Sequence, residues 1–170
     1  METVLPADIA QMAARVVAEN KAIGRTVAVA ESCTGGLVTA AITEVPGSSA
    51  ILGSGYVTYS NEAKMTMLGV NEDIIDTFGA VSVAVAWAMA QGALKKSGAD
   101  IAVAISGVAG PDGGTVNKPV GTVVFAVALK GQNPEDVVGD KKAFGEDKSR
   151  ADIRAFATLY ALELLLPPAP

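Results

Sequence analysis

Short runs of β-branched or small residues alternate along this chain with stretches in which apolar residues return every three or four positions. Thr26–Ala30 and Asp100–Ile105 are almost free of charge and read as strands covered on both faces. Ile9, Met12, Ala13, Val16 and Val17 mark one face of a helix over Ala7–Ile23, ended by Gly24. Leu37–Val45 again has helical spacing, and Ile51–Ser60 reads as a strand through Tyr56, Val57, Thr58 and Tyr59. A short helix with Ser60 or Asn61 as cap and Gly69 as stop follows, then another over Asn71–Phe78. Ser82 can cap a long, apolar helix through Lys96. Pro119–Leu129 is a long strand, Asp136–Phe144 an edge strand with Lys141 and Lys142 as edge charges, and Asp147–Leu166 the last helix. This alternation predicts an α/β fold, a three-layer α/β/α sandwich with a mostly parallel mixed sheet, formed by residues 1–170 as a single domain.

Two of the predicted strands run into polar, glycine-containing turns. The first turn is Glu31-Ser-Cys-Thr-Gly-Gly36, opening a helix. Free N–H groups and the positive end of a helix dipole suit an anion or a developing oxyanion there, and glycines let a ligand approach the backbone. Ser32 and Thr34 add two hydroxyls, either of which can be a nucleophile or simply the helix cap. The second turn runs from Ser106 to Thr115. In open α/β sheets ligands bind beyond the carboxyl ends of strands, so the pair of turns marks the expected site, against the plain alternative of a flexible loop.

Composition narrows the chemistry. The chain has 170 residues, half of them hydrophobic, with a formal net charge of −5 and no run of more than two basic residues. That excludes a nucleic-acid surface as the expected partner. No signal peptide or bilayer-spanning stretch is visible, and the single cysteine, Cys33, fits a reducing compartment; the expected location is cytoplasmic. There is no histidine, which removes Ser-His-Asp triads, Cys-His pairs and histidine-ligated metals together. No metal or other cofactor is expected, although Asp and Glu could still bind Mg²⁺. A general base must come from lysine, carboxylate, tyrosine or water, and a Ser-Lys pair is the natural candidate. Lys64 sits on the first turn of a helix that follows a strand, where ion-pairing with Glu62 or solvation is the ordinary role. Arg150 and Arg154 share a helix side and suit a phosphate, against the ordinary alternative that Arg150 pairs with Asp147 or Asp152.

Five segments, Ala30–Gly36, Gly55–Lys64, Gly79–Ser82, Ser106–Gly114 and Lys118–Thr122, together resemble the CinA C-terminal domain family of nicotinamide mononucleotide deamidases, from about Ile9 to Leu165. The resemblance implies metal-free hydrolysis of the carboxamide of nicotinamide mononucleotide, giving nicotinic acid mononucleotide and ammonia. It makes Ser32 the nucleophile and Lys64 its base, with Tyr59 as a further catalytic candidate. Glu31, Thr34, Gly35, Gly36, Asn61, Ser106, Gly107, Ala109, Gly110 and Arg150 are the candidate substrate-binding residues. The family commonly carries Gly-Asp-Arg before the last helix, whereas Phe144-Gly-Glu-Asp-Lys-Ser-Arg150 has a different spacing. The chain looks like the stand-alone form of the family.

A lysine base needs a lowered pKa, which desolvation or a second cation nearby supplies. Oxyanion donors are expected around Thr34–Gly36 or in Ser106–Gly110, with the choice between these loops open. The alternative is a non-catalytic nucleotide-binding or interaction module using the same loops. A third reading makes Cys33 the nucleophile, its thiolate dependent on the helix dipole and Lys64. The expected partner is a small nucleotide, with no nucleic acid and no membrane. Trp87, Met89 and the last helix make a homo-oligomer, a dimer at the simplest, plausible.

Overall fold

The computed structural model describes residues 3–136 and 138–168; Val137, inside the expected edge strand, lies outside them, as do Met1, Glu2, Ala169 and Pro170. In chain order the elements are α1 (Ala7–Ala22), β1 (Val27–Glu31), α2 (Leu37–Thr43), β2 (Leu52–Val57), α3 (Asn61–Leu68), α4 (Glu72–Phe78), α5 (Val83–Ser97), β3 (Ile101–Gly107), β4 (Thr122–Leu129), β5 (Val138–Ala143) and α6 (Arg150–Leu164). The sheet order is β2-β1-β3-β4-β5, with β1 parallel to β2 and β3, and β4 antiparallel to both its neighbours. Four strands therefore run one way and β4 alone is reversed, the mixed, mostly parallel sheet that the sequence predicts.

Helices cover both faces, and the faces differ in grain. Val27, Val29, Ile101, Val103, Ile105, Val123 and Phe125 meet α1, α2 and α6 in one core. The opposite face offers Ala28, Ala30, Ala102, Ala104, Ala126 and Ala128, with Val124, to α3, α4 and α5. Small side chains let the alanine-rich α5 lie close to the sheet, while branched ones fill the deeper layer opposite. Met89 is fully buried in the second core. The sequence expectation that Met89 helps form an interface between copies is thus corrected: at helical spacing it points to the sheet, and Trp87 instead is half-buried and donates its indole N–H to the Pro134 carbonyl.

Local signals place the helices. Ser60, Asn71 and Ser82 each accept a hydrogen bond from a backbone N–H in the first turn, capping α3, α4 and α5. Ser149 and Asp152 form a reciprocal capping box, so α6 begins at Arg150 and not at Asp147. Chain order moves from β1 outward to β2, then back across β1 to β3. The crevice beyond the carboxyl ends of β1 and β3 is thus the topological switch point of the sheet.

Candidate active site

Glu31 ends β1 with no solvent exposure. Its carboxylate accepts from the N–H groups of Gly36, Val38 and Thr39 and from the Thr39 hydroxyl, at 2.7–3.1 Å. Glu31 is therefore the cap of α2, a role that sequence reasoning assigned to Ser32 or Thr34. Gly36, at φ 99°, makes the backbone reversal that brings these donors onto one carboxylate. Gly55 on β2 makes room for the arrangement, since a Cβ there would stand 2.5 Å from the Thr39 hydroxyl.

With Glu31 turned inward, Ser32 emerges at the switch point, 7% exposed. Its N–H still bonds the Ile105 carbonyl of β3, and its carbonyl receives the Gly35 N–H. On the other side of β1, the Thr58 N–H bonds the Glu31 carbonyl and so fixes the exit of β2. The Ser60 cap then starts α3, whose side chains lean back toward the helix start. Lys64, 1% exposed, consequently reaches toward the strand ends. Its Nζ lies 3.2 Å from Ser32 Oγ and donates to the carbonyls of Thr58 at 3.0 Å and Tyr59 at 3.4 Å. Burial pushes the Lys64 pKa down. Pairing with Glu62 or plain solvation, the ordinary role, does not occur.

Cys33 beside them is buried, and burial pushes its thiol up to about 11 despite favourable backbone N–H groups. It is a thiol at neutral pH, which disfavours the reading of Cys33 as nucleophile.

Ser32, Cys33 and Lys64 form the floor of a cleft of about 190 Å³. Ser106, Gly107 and Ala109 line one wall, Ala80 and Val81 another, and Tyr59, Asn61 and Arg150 the rim. Ser106 donates to the Ala80 carbonyl at 2.8 Å and ties the two walls together. Tyr59 is 61% exposed, and its hydroxyl accepts from Arg150 at 3.1 Å. Arg150 also donates to the Gly110 carbonyl at 2.6 Å, and among the described residues it makes no ion pair with Asp147, Asp152 or any other carboxylate. No group of three Cys, Asp or Glu side chains among the described residues is placed to hold a metal ion.

Residues 9–167 match the family model of the CinA C-terminal domain. The chain belongs to that family. A CinA-like protein of Mycolicibacterium vanbaalenii is 51% identical over 142 residues, covering 84% of this chain and 32% of that protein. The chain thus spans about a third of that relative's length. The protein named nicotinamide-nucleotide amidohydrolase PncC of Escherichia coli is 48% identical over 159 residues, 93% of each chain. Among solved structures, the competence/damage inducible protein CihA of Agrobacterium tumefaciens superposes with a TM-score of 0.91 at 44% identity, covering 96% of this chain and 97% of that one.

In this CinA domain the cleft brings together Ser32, Tyr59, Asn61, Lys64, Ser106, Gly107, Ala109 and Arg150 from the sequence-predicted set. Glu31, Thr34, Gly35, Gly36 and Gly110 do not line it. Glu31 is corrected from substrate contact to buried helix cap, because a carboxylate carrying four donors has no face left for a ligand. The Gly35 and Gly36 N–H groups are likewise spent, on the Ser32 carbonyl and on Glu31, so they are not the oxyanion donors expected of this turn. Thr34 is fully buried, and Gly110 serves through its carbonyl as an acceptor for Arg150. Sequence reasoning missed the wall residues Ala80 and Val81, although the segment Gly79–Ser82 that contains them was visible as a motif. It offered Arg154 to a phosphate, whereas its Nε and terminal nitrogen donate to the carbonyls of Cys33 at 3.1 Å and Thr34 at 3.0 Å.

Proposed function

We propose that this CinA domain hydrolyses the carboxamide of nicotinamide mononucleotide, with Ser32 as nucleophile and Lys64 as general base. The observation that carries the reading is the 3.2 Å approach to the serine hydroxyl of a buried lysine amine that has no carboxylate partner among the described residues. In its neutral form Lys64 has two N–H bonds for the Thr58 and Tyr59 carbonyls and one lone pair for the Ser32 proton. Ser32 Oγ attacks the carboxamide carbon while its proton passes to Lys64. Lys64 then protonates the leaving nitrogen, the C–N bond breaks, and ammonia departs from a Ser32 ester. Water, deprotonated by Lys64, attacks the ester; the C–Oγ bond breaks, the acid is released, and the proton returns to Ser32.

The cleft suits the pyridine end, and its volume leaves the ribose phosphate to the rim, where the Arg150 guanidinium has no carboxylate partner among the described residues. The name of the 48% identical relative points to the same substrate class. A binding-only module has no use for a desolvated lysine against a hydroxyl, because that burial costs stability without touching the nucleotide's charge. The test is incubation of the purified protein with nicotinamide mononucleotide, reading ammonia and nicotinic acid mononucleotide in equal amounts. Binding without either product would return the reading to a nucleotide-binding module.

A further inference from the structure

Glu31 leaves the turn after Ser32 with an electrostatic problem. A helix start beside a nucleophile would ordinarily favour an oxyanion, but the first free N–H groups of α2 are taken up by the Glu31 carboxylate. The remaining donors of the turn are the N–H groups of Cys33 and Thr34, which have no acceptor in the backbone network of the described residues. Each belongs to a peptide whose carbonyl is pinned. The Ser32 carbonyl is held by the Gly35 N–H, which turns the Cys33 N–H the opposite way. The Cys33 carbonyl is held by Arg154 Nε, which does the same for the Thr34 N–H. A second Arg154 nitrogen holds the Thr34 carbonyl, so one guanidinium fixes two consecutive peptides directly behind the nucleophile. Cys33 itself lines the cleft beside Ser32.

We propose that Arg154 is a positioning residue for acyl transfer: its grip on the Cys33 carbonyl aims the Thr34 N–H, and its grip on the Thr34 carbonyl fixes the Gly35 N–H that, through the Ser32 carbonyl, turns the Cys33 N–H, so that Cys33 and Thr34 supply the oxyanion-binding pair. This rests on the reading of Ser32 as nucleophile. Arg154 makes no ion pair among the described residues, so its charge polarises the two peptides and offsets the carboxylate of Glu31. It is anchored in α6, which packs against α2, and spans 121 residues of sequence to reach the turn. The expectation that Arg154 binds phosphate is replaced: two of its nitrogens face the main chain behind Ser32, and Arg150 is the arginine at the rim.

The experiment compares Arg154→Met and Arg154→Lys with wild type in two reactions: labelling of Ser32 by a fluorophosphonate, which needs an oxyanion site but no nucleotide, and turnover of nicotinamide mononucleotide. Arg154→Met should slow both by about 100-fold, the scale of one lost oxyanion donor. KM, and the dissociation constant for nicotinamide mononucleotide in a Ser32→Ala background, should stay near wild type. Lysine keeps one donor and the charge, so Arg154→Lys should fall between; it also serves as the test if the methionine variant does not fold. Wild-type labelling rates in either folded variant, or a raised KM with unchanged kcat, would overturn the proposal. Wild-type protein that labels at Ser32 but leaves nicotinamide mononucleotide intact would remove the proposed substrate while Arg154 still stands or falls on labelling. Failure of wild type in both reactions would remove the nucleophile and this proposal with it.

Discussion

At the floor of the cleft, Ser32, Cys33 and Lys64 are buried, and among the described residues the lysine amine bonds neutral oxygens, of Ser32, Thr58 and Tyr59. At the rim, Tyr59, Asn61 and Arg150 are exposed, and the arginine donates to the Gly110 carbonyl and the Tyr59 hydroxyl. Two basic side chains thus stand within one cleft, one buried and one exposed. Desolvation lowers the proton affinity of Lys64, as the proposed base requires, whereas Arg150 stands at the exposed rim with no carboxylate partner among the described residues. On the proposed reading, the difference teaches that burial, more than residue type, divides chemistry from binding.

The largest expected effect comes from the floor. Ser32→Ala should lower kcat by at least about 10⁴-fold while nucleotide affinity stays within a few-fold, since only the attacking oxygen is lost. Isothermal titration beside an ammonia assay checks both halves, and substantial residual deamidation would remove Ser32 as nucleophile. Lys64→Met should lower kcat by about 10²–10⁴-fold, the usual worth of general acid–base catalysis, again with little change in affinity. A KM defect with normal kcat would move Lys64 to the binding side of the contrast.

The rim should respond in the other parameter. Arg150→Ala should raise KM by roughly 10-fold or more, from the loss of charge-assisted hydrogen bonds to phosphate, with kcat little changed. A steady-state titration decides this, and a kcat defect alone would break the division between floor and rim. Beneath both, Glu31→Gln should cost about 1–3 kcal/mol in urea unfolding, because an amide nitrogen would face backbone donors at the start of α2. The smallest effect is expected at Cys33. Its thiol is pushed up to about 11, so Cys33→Ala should keep activity within about twofold and wild type should react slowly with iodoacetamide. A dead cysteine variant beside an active Ser32→Ala would invert the assignment.

These positions also mark how far the sequence could be read. Caps such as Ser60 and Ser82 were legible because donor and acceptor lie three residues apart. Glu31 was misread because its polarity looks like the start of a loop, while its partners, Gly36 to Thr39, come from the following helix. The second strand to reach the site showed the same difficulty: Ser106 and Gly107 look like loop residues but pair with Val124 and Val123 of β4. Lys64 and Arg154 lie 32 and 121 residues from the turn they serve, and no local periodicity reports such contacts. Resemblance to the CinA family supplied Ser32 and Lys64, and Arg154 had to wait for α6 to be placed against α2.

Lysine ionisation should also show in stability. The unfolded chain binds a proton that the folded protein sheds from Lys64, so stability rises with pH between the lowered folded pKa and about 10.4, and is level with respect to this group below that window. Urea titrations across alkaline pH should show that slope in wild type and lose it in Lys64→Met.

Whether a neutral Lys64 activates Ser32 is decided by the pH dependence of kcat/KM for nicotinamide mononucleotide in wild type and Lys64→Met. Wild-type activity should climb with pH through a midpoint well below about 10.4, and the residual activity of the methionine variant should lack that limb. A wild-type profile that climbs only near about 10.4, or the same limb surviving without the lysine, would contradict the pairing of Ser32 with Lys64 as nucleophile and base.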